Sequence, residues 1–515
     1  MSASPRILSV VASALLLGVL IVPAEAQETA TRDPQATAAF EQGTKFMEEK
    51  KWDDAIAAFA QATDIDNTFA EAYLGRADAL RELEDYQTAL QFYRQAETIN
   101  PKLAKIFLGR GISYREVGQL DMAINDFDTA MELDRKDPEI AANLGDLLVN
   151  NIQNPTRGLQ VLNKAIELDP EDAKSYRNRG LANAQLRRFD EAEADLAKSV
   201  ELKSDDFETY AMQSNIFLFQ DKPEKLPLAI DALTKAIDNY KNREKQESSD
   251  PKTYVQGYLL RSDANLKLAT NPKTPKEKSD EYFKAVIADA DAVLAENPEA
   301  YPISGQALYR KGVAERMQGM YGEAIKAFTD AIQQLPAGES GSYAAEAYLK
   351  RGICWHMQDE NRLARGDFQQ AAAIDYTDPL PHLWTGYTFA EEEDYRSAID
   401  AYGEAIAKNP NFALPYINRA LAYVQLGEYN RAADNFNEAI RVEPSDAGNH
   451  VKRGQVYMKL EEYKKALNAF DLALQYDKDN VEALEGTAQA MRALGRGSAA
   501  DTYEKRAAEL KASEK

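Results

Sequence analysis

The 515-residue sequence has little of the chemistry that metal and redox sites require. It contains one cysteine, Cys354, and three histidines, His356, His382 and His450. A single cysteine excludes an intramolecular disulfide and every paired-thiol motif. No two histidines lie three or four residues apart, and none has a cysteine or carboxylate at zinc-motif spacing. We therefore expect no metal site and no cofactor, with the cysteine packed against its neighbours and the histidines packed or solvated.

Motifs of nucleotide chemistry and of nucleophilic catalysis are also absent. The sequence has no glycine-rich phosphate loop ending in Gly-Lys-Ser/Thr, no dinucleotide fingerprint and no nucleophile elbow. Acidic residues do cluster, as at Glu391–Asp394, but such a run is typical of a solvated turn between helices. The sequence therefore predicts a protein without catalytic residues, which is not an enzyme.

Positive charge is scarce. The chain has 61 Lys and Arg against 84 Asp and Glu, which gives a net charge of −23. Nucleic-acid binding requires clustered basic side chains, so this balance argues against a nucleic-acid partner and against an anionic membrane surface. A hydrophobic content of 44%, with 26 Tyr and 18 Phe, argues against a disordered chain.

Only one long hydrophobic run is present, at the N-terminus. Arg6 precedes an apolar stretch over residues 7–22, and Ala24-Glu25-Ala26 follows as a small-residue cleavage site. This pattern predicts a signal peptide over 1–26 and a mature chain that starts at Gln27. The alternative is a retained anchor, although the run is near the short end for a spanning helix. We expect an exported protein, periplasmic or secreted, without an integral membrane segment after cleavage.

From about residue 36 onwards the sequence repeats itself every 34 residues. Phe107–Asp134, Tyr416–Pro444 and His450–Asp477 illustrate the pattern. Within a unit, large residues at helical spacing (Tyr416 and Tyr423) are followed by a glycine break, and Ala and Phe then recur at i, i+4 and i+7. Each unit therefore predicts two helices, and no segment predicts a strand.

These residues resemble the signature of the tetratricopeptide repeat (TPR), Trp-x2-Leu-Gly-x2-Tyr…Ala-x3-Phe…Pro. The resemblance covers nearly the whole mature chain and implies an all-α fold of stacked helix–turn–helix units in a right-handed superhelical solenoid. It also implies a concave groove, formed by the first helix of each unit, that takes peptides or partner helices. We divide the chain into a signal peptide (1–26), a flexible leader (27–35), an N-terminal array (36–240), an irregular section with loop inserts (241–284), a C-terminal array (285–480), and a last helix with a capping helix (481–515).

Arginine often replaces the leucine of the signature, and three of these arginines have an aspartate sixteen residues later. Repeats that lack the arginine have Ala or Val at the partner position. This co-occurrence predicts structural ion pairs between the two helices of one repeat: Arg110 with Asp126, Arg179 with Asp195, and Arg351 with Asp367.

The groove positions implied by the resemblance are of two kinds. The second to fifth repeats carry mixed charge there: Glu71, Asp78, Arg81, Lys105, Arg115, Asp146, Lys174 and Arg177. The eighth to eleventh repeats carry an apolar stripe: Tyr309, Val313, Leu349, Ile353, Leu383, Tyr387, Ile417, Leu421 and Val424. The stripe is either a partner-binding groove or packing between neighbouring helices. We predict a non-enzymatic scaffold that binds a protein or peptide of unknown identity, principally at the stripe, in an envelope-associated complex. The alternative is an accessory subunit that binds polysaccharide or another non-protein polymer.

Overall fold

The computed structural model describes residues 32–203, 205–220, 222–244, 252–296, 303–335 and 341–513. In these ranges the chain forms 26 α-helices and a short π-helical turn, without a β-strand. The predicted all-α fold is confirmed. None of the helices in the described ranges has the length and the apolar character needed to cross a membrane. The predicted signal peptide and most of the predicted leader lie outside the described residues.

The helices group into two compact units, within Met1–Ser204 (unit 1) and within Asp205–Lys515 (unit 2). In unit 1, each odd-numbered helix packs on the even-numbered helix after it and on the one before it. Unit 1 consists of α1 (Pro34–Glu48), α2 (Trp52–Ile65), α3 (Ala70–Glu82), α4 (Tyr86–Ile99), α5 (Ala104–Glu116), α6 (Leu120–Leu133), α7 (Pro138–Asp146), α8 (Pro155–Leu168), α9 (Ala173–Gln185) and α10 (Phe189–Leu202).

Unit 2 repeats the same pairing from its first helix to its last. The sequence division placed α11 and α12 largely in the first array, whereas their contacts group them with the helices that follow. Unit 2 consists of α11 (Phe207–Phe219), α12 (Leu226–Glu244), α13 (Lys252–Ala269), α14 (Lys276–Glu296), α15 (Ile303–Met317), α16 (Tyr321–Gln334), α17 (Gly341–His356), α18 (Asn361–Ile374), α19 (Leu380–Glu391), α20 (Tyr395–Lys408), α21 (Ala413–Gln425), α22 (Tyr429–Val442), α23 (Ala447–Lys459), α24 (Tyr463–Tyr476), α25 (Val481–Ala493) and α26 (Gly497–Ser513).

A small residue on the first helix of a pair lets a large ring from the second helix come close. A Cβ atom added at Gly111 would lie 2.8 Å from a ring carbon of Phe127, and one at Gly352 would lie 2.6 Å from Phe368. Both phenylalanines are fully buried. The sixteen-residue spacing of glycine and ring therefore fixes how the two helices of a pair pack.

In most pairs a residue with positive φ lies two residues after the end of the first helix and turns the chain towards the second helix. Gly118 and Gly427 adopt φ of 75° and 74°. Glu84 and Glu393 adopt φ of 62° and 61° at the equivalent place, although the left-handed region is unfavourable for a residue with a side chain. The turn is therefore imposed by the packing of the pair, and glycine is not required for it.

The irregular stretches of the sequence are more helical than their composition suggests. In the sequence the fourth repeat, residues 138–172, is one residue longer than the 34-residue period, with the extra residue near Asn150. The structure accommodates it as a π-helical turn over Leu147–Asn151, which is how a helix takes up an inserted residue. The insert at 270–284, expected to be a loop, is a turn only up to Pro275; α14 begins at Lys276. This segment forms an amphipathic helix, because Phe283 and Val286 bury one face while its lysines and acidic residues remain on the other.

Candidate functional site

The apolar stripe predicted in the eighth to eleventh repeats is mostly packed inside unit 2. Five of its side chains are buried: Tyr309, Leu349, Ile353, Leu383 and Ile417. Three others are half-buried, Val313, Tyr387 and Val424. Leu421 alone among the nine is exposed, with 39% of its surface accessible. For these five residues, burial favours packing between neighbouring helices over partner binding, because their side chains are already in contact with the protein and have no surface left for a partner.

Unit 1 contains an open groove at the charged positions. Its cavity has a volume of about 430 Å³ and lies between α5, α7 and α9. We call it the unit 1 groove. Four of the eight charged residues predicted from the sequence line it: Arg115, Asp146, Lys174 and Arg177. Ile112, Ala142 and Asn178 add apolar and amide surface to its lining.

Hydrogen bonds across three helices fix the floor of the unit 1 groove. Arg115 Nη1 on α5 donates to Asp146 Oδ2 on α7 at 2.9 Å. The other carboxylate oxygen, Oδ1, accepts from Asn178 Nδ2 on α9 at 3.0 Å and from Asn150 Nδ2 at 2.7 Å. Asn178 is buried, whereas the side chains of Arg115 and Asp146 are 20% and 31% exposed. The floor is therefore held in place before any ligand arrives, and its polar groups still reach the cavity.

A second polar cluster lies on α3 and α4 of the same unit. The hydroxyl of Tyr93, a buried residue, donates to Asp78 Oδ1 at 2.7 Å, and the guanidinium of Arg81 lies 3.7 Å from the same oxygen. Loss of hydration raises the pKa of Asp78 to about 6, because it disfavours the charged carboxylate. Arg81 and the Tyr93 hydroxyl lower this pKa, whereas the carboxylates of Glu82 and Glu139 raise it further. Asp78 therefore gains a proton at mildly acidic pH.

The three Arg–Asp pairs predicted from the sixteen-residue spacing are in contact. Each guanidinium donates from Nε and Nη2 to the two oxygens of one carboxylate. The distances are 2.7 and 2.8 Å for Arg110 and Asp126, 3.0 and 2.6 Å for Arg179 and Asp195, and 2.8 and 2.7 Å for Arg351 and Asp367. These pairs join the two helices of one repeat, and each of the three carboxylates is buried.

Two further Arg–Asp pairs escaped the sequence analysis, because an insert changes the spacing of the first and the second joins two different repeats. Arg261 on α13 bonds Asp289 on α14, with Nη2 2.5 Å from Oδ1. Arg310 on α15 bonds Asp263 on α13 at 2.7 and 2.8 Å. The first pair is 28 residues apart and the second 47. Helix-by-helix alignment across the inserts would have been needed to find them.

Glu315 on α15 was also missed. It is 5% exposed, and its Oε2 has no hydrogen-bond partner among the described residues. Burial raises its pKa to about 7; Lys311 opposes the rise, and Glu323 and Asp291 add to it. Cys354 on the neighbouring α17 is fully buried, and burial raises the pKa of its thiol to about 12. A thiol that stays protonated is not a nucleophile.

In the described ranges, no group of three or more His, Cys, Asp or Glu side chains is arranged so that it could bind a metal ion. His356 Nδ1 lies 2.8 Å from Asn361 Oδ1, and its ring contacts Trp384 edge-on. His450 Nε2 lies 2.9 Å from the Pro444 carbonyl oxygen. These two histidines therefore have packed, hydrogen-bonded environments.

Comparison with solved structures gives helical-repeat proteins. Yeast Tom70 is 15% identical, with 91% of this chain and 96% of that chain covered and a TM-score of 0.34. A tetratricopeptide repeat protein from Parabacteroides merdae is 16% identical over 54% of this chain and 100% of that chain, with a TM-score of 0.37. YrrB, described as a TPR protein with an unusual peptide-binding site, is 25% identical over 35% and 92%, with a TM-score of 0.31. No curated protein matches the sequence.

Family models match seven segments of the array. Models described as tetratricopeptide repeats match residues 40–104, 104–137, 151–207, 287–339 and 447–480. A further model, described as a TPR repeat, matches residues 386–427 and 420–461. Together these segments cover more than half of the sequence, and they lie within the helical array described above. The chain belongs to the tetratricopeptide repeat family.

Proposed function

We propose that this protein is a non-enzymatic scaffold that binds an extended peptide segment of a partner protein in the unit 1 groove. The hydrogen-bonded floor of that groove carries the proposal. Arg115, Asp146 and Asn178 come from three successive repeats and are fixed by one another, so a ligand finds ordered donors and acceptors at little entropic cost. The cavity of about 430 Å³ accommodates a few residues of extended chain.

The proposal moves the principal site from the apolar stripe to the charged groove. The stripe residues are largely covered by their own neighbours, whereas the unit 1 groove is open. Among the described residues, the lining of this groove contains no aromatic side chain. Sugar rings are commonly bound by stacking on exposed aromatic rings, so this lining favours a peptide over a polysaccharide.

Replacement of Ala142 by tryptophan tests the site. Ala142 is half-buried on α7 and lines the cavity without making a side-chain hydrogen bond, so an indole there fills the groove and leaves its floor intact. We expect peptides selected from a displayed random library on the full chain to bind the A142W variant at least about tenfold more weakly in isothermal titration.

The matched control for this experiment is Ala57→Trp on α2. Ala57 is an exposed helical alanine that does not line the groove. Its variant should retain wild-type affinity and helicity. If both variants bind equally well, or if the library yields no binder, the unit 1 groove is not a peptide site.

We also propose that the scaffold acts outside the cytoplasm, after export. The support is the sequence pattern at residues 6–26. Expressed in a bacterium with a periplasm, the full chain should yield a protein that starts at Gln27, as measured by intact mass and N-terminal sequencing. An Ala24→Asp/Ala26→Asp variant should remain unprocessed. A periplasmic protein that retains residue 1 would indicate a retained anchor, and a cytoplasmic one would contradict export.

A further inference from the structure

The rim of the unit 1 groove carries charges of alternating sign. Lys105, Glu139 and Lys174 each occupy the second residue of a helix, on α5, α7 and α9 respectively. Glu139 and Lys174 line the cavity itself. Because the three helices succeed one another along the array, the rim presents a positive, a negative and a positive charge in order.

These rim charges are not neutralised within the described part of the protein. No ion pair joins Lys105, Glu139 or Lys174 to any described residue. Ion pairs with a nitrogen–oxygen distance of 4 Å or less are common elsewhere in the chain. The charges of the floor are compensated, by contrast: Arg115 pairs with Asp146 and with Glu116. The rim charges are therefore available to a ligand, and the charged side chains of Asp169, Asp172 and Arg177 also line the cavity.

Helix stability does not account for the two lysines. The first turn of an α-helix carries partial positive charge, which favours acidic side chains and disfavours basic ones. Lys105 and Lys174 lie in the first turns of α5 and α9, where they cost about a few tenths of a kcal/mol. Glu139, in the first turn of α7, follows the ordinary preference. Neither lysine therefore supports its own helix at this position; Lys174 lines the cavity, and Lys105 occupies the equivalent position on α5.

We propose that the unit 1 groove selects an extended peptide whose side chains alternate in charge: acidic beside Lys174, basic beside Glu139 and acidic beside Lys105. This inference rests on the proposed peptide-binding function and specifies its ligand. Successive first helices lie roughly one helix diameter apart, about 10–12 Å, a distance that an extended chain covers in about three to four residues. Alternating signs exclude segments of a single charge sign, because every second contact would be repulsive.

The charge order can be changed without a change in net charge. We would select a displayed random peptide library on the full chain and, in parallel, on the Glu139→Lys/Lys174→Glu double variant, called here the swapped variant. Wild-type binders should be enriched in the order acidic, basic, acidic. Binders of the swapped variant should instead carry an acidic residue beside position 139 and a basic residue beside position 174.

Cross-titration then tests whether the rim sets the preference. Wild-type-selected peptides should bind the swapped variant about tenfold more weakly, because two attractive contacts become repulsive. The difference should shrink as salt is raised, since exposed charges are screened. Ala142→Trp reports on the proposed function separately, because it blocks the groove without altering any charge.

The outcomes separate the two proposals. Binders that are lost in the A142W variant but bind wild type and swapped variant equally would overturn the charge inference and leave the peptide-binding function standing. Binders without acidic and basic residues in alternation would do the same. If no peptide is retained, or if A142W has no effect, the proposed function is wrong and the charge inference is wrong with it.

Discussion

Replacing Asp126 with alanine is expected to reduce the local free energy of unfolding of α5 and α6 by about 3–5 kcal/mol. Asp126 is 6% exposed and accepts hydrogen bonds from Nε and Nη2 of Arg110, which is 8% exposed. Burial raises the pKa of Asp126, so its ionised form depends on the hydrogen bonds from Arg110. Removing the carboxylate leaves a buried guanidinium with only Glu97 as an ionic partner among the described residues.

Amide hydrogen exchange across α5 and α6 is the appropriate measurement, because an array of repeats need not unfold in two states. Each loss of about 1.4 kcal/mol accelerates exchange through local opening about tenfold. Glu438→Ala is the control, because its pair with Arg441 is about half exposed and should contribute less than about 1 kcal/mol.

A double variant, Arg110→Leu/Asp126→Leu, distinguishes the contribution of the ion pair to stability from the penalty for leaving one buried charge unpaired. It should regain much of the lost stability, because no buried charge is left without its partner. If D126A accelerates exchange no more than Glu438→Ala does, the pair contributes little and the argument from burial is wrong.

Replacing Glu315 with glutamine is expected to stabilise the region around α15 by about 2–3 kcal/mol at pH 8. Glu315 is almost fully buried, and its Oε2 has no partner in the described residues. Its pKa is raised from 4.5 to about 7 in the folded protein, so the unfolded chain ionises it more readily. This group therefore favours the folded state less and less as the pH rises from about 4.5 to about 7. The glutamine is neutral throughout and avoids that loss.

The pH dependence identifies this effect. Between about pH 8 and about pH 5.5 the advantage of E315Q should fall by about 2 kcal/mol, as measured by hydrogen exchange in α15 corrected for the intrinsic pH dependence of exchange. Glu277→Gln is the control; its side chain is exposed on α14, its charge does not act on Glu315, and it should give no such difference. An advantage of equal size at both pH values would show that Glu315 is not the titrating group.

Within one repeat, the sequence was enough to determine structure. Sixteen residues separate Gly111 from Phe127 and Arg110 from Asp126, and both pairs meet because a helix–turn–helix unit of constant length brings the same positions together. The extra residue near Asn150 was visible as a break in the period and appears as a π-helical turn. These contacts are local, and local spacing encodes them.

Contacts between repeats and across inserts were decided only by tertiary structure. The sequence could not determine whether Leu349 and Ile417 face a groove or a neighbouring helix, because both alternatives require the same apolar residue at the same position. It did not reveal the pair of Arg310 and Asp263, since that pair joins two different repeats. The burial of Glu315 likewise depends on how successive helices are spaced and inclined.

The sequence alone thus determined a tetratricopeptide array and the contacts inside each of its repeats. The packing of one repeat on the next opened the groove beside Asp146 and closed most of the apolar stripe. That packing decided which surfaces stay open to a partner, because only the arrangement of successive helices determines which side chains lose their solvent.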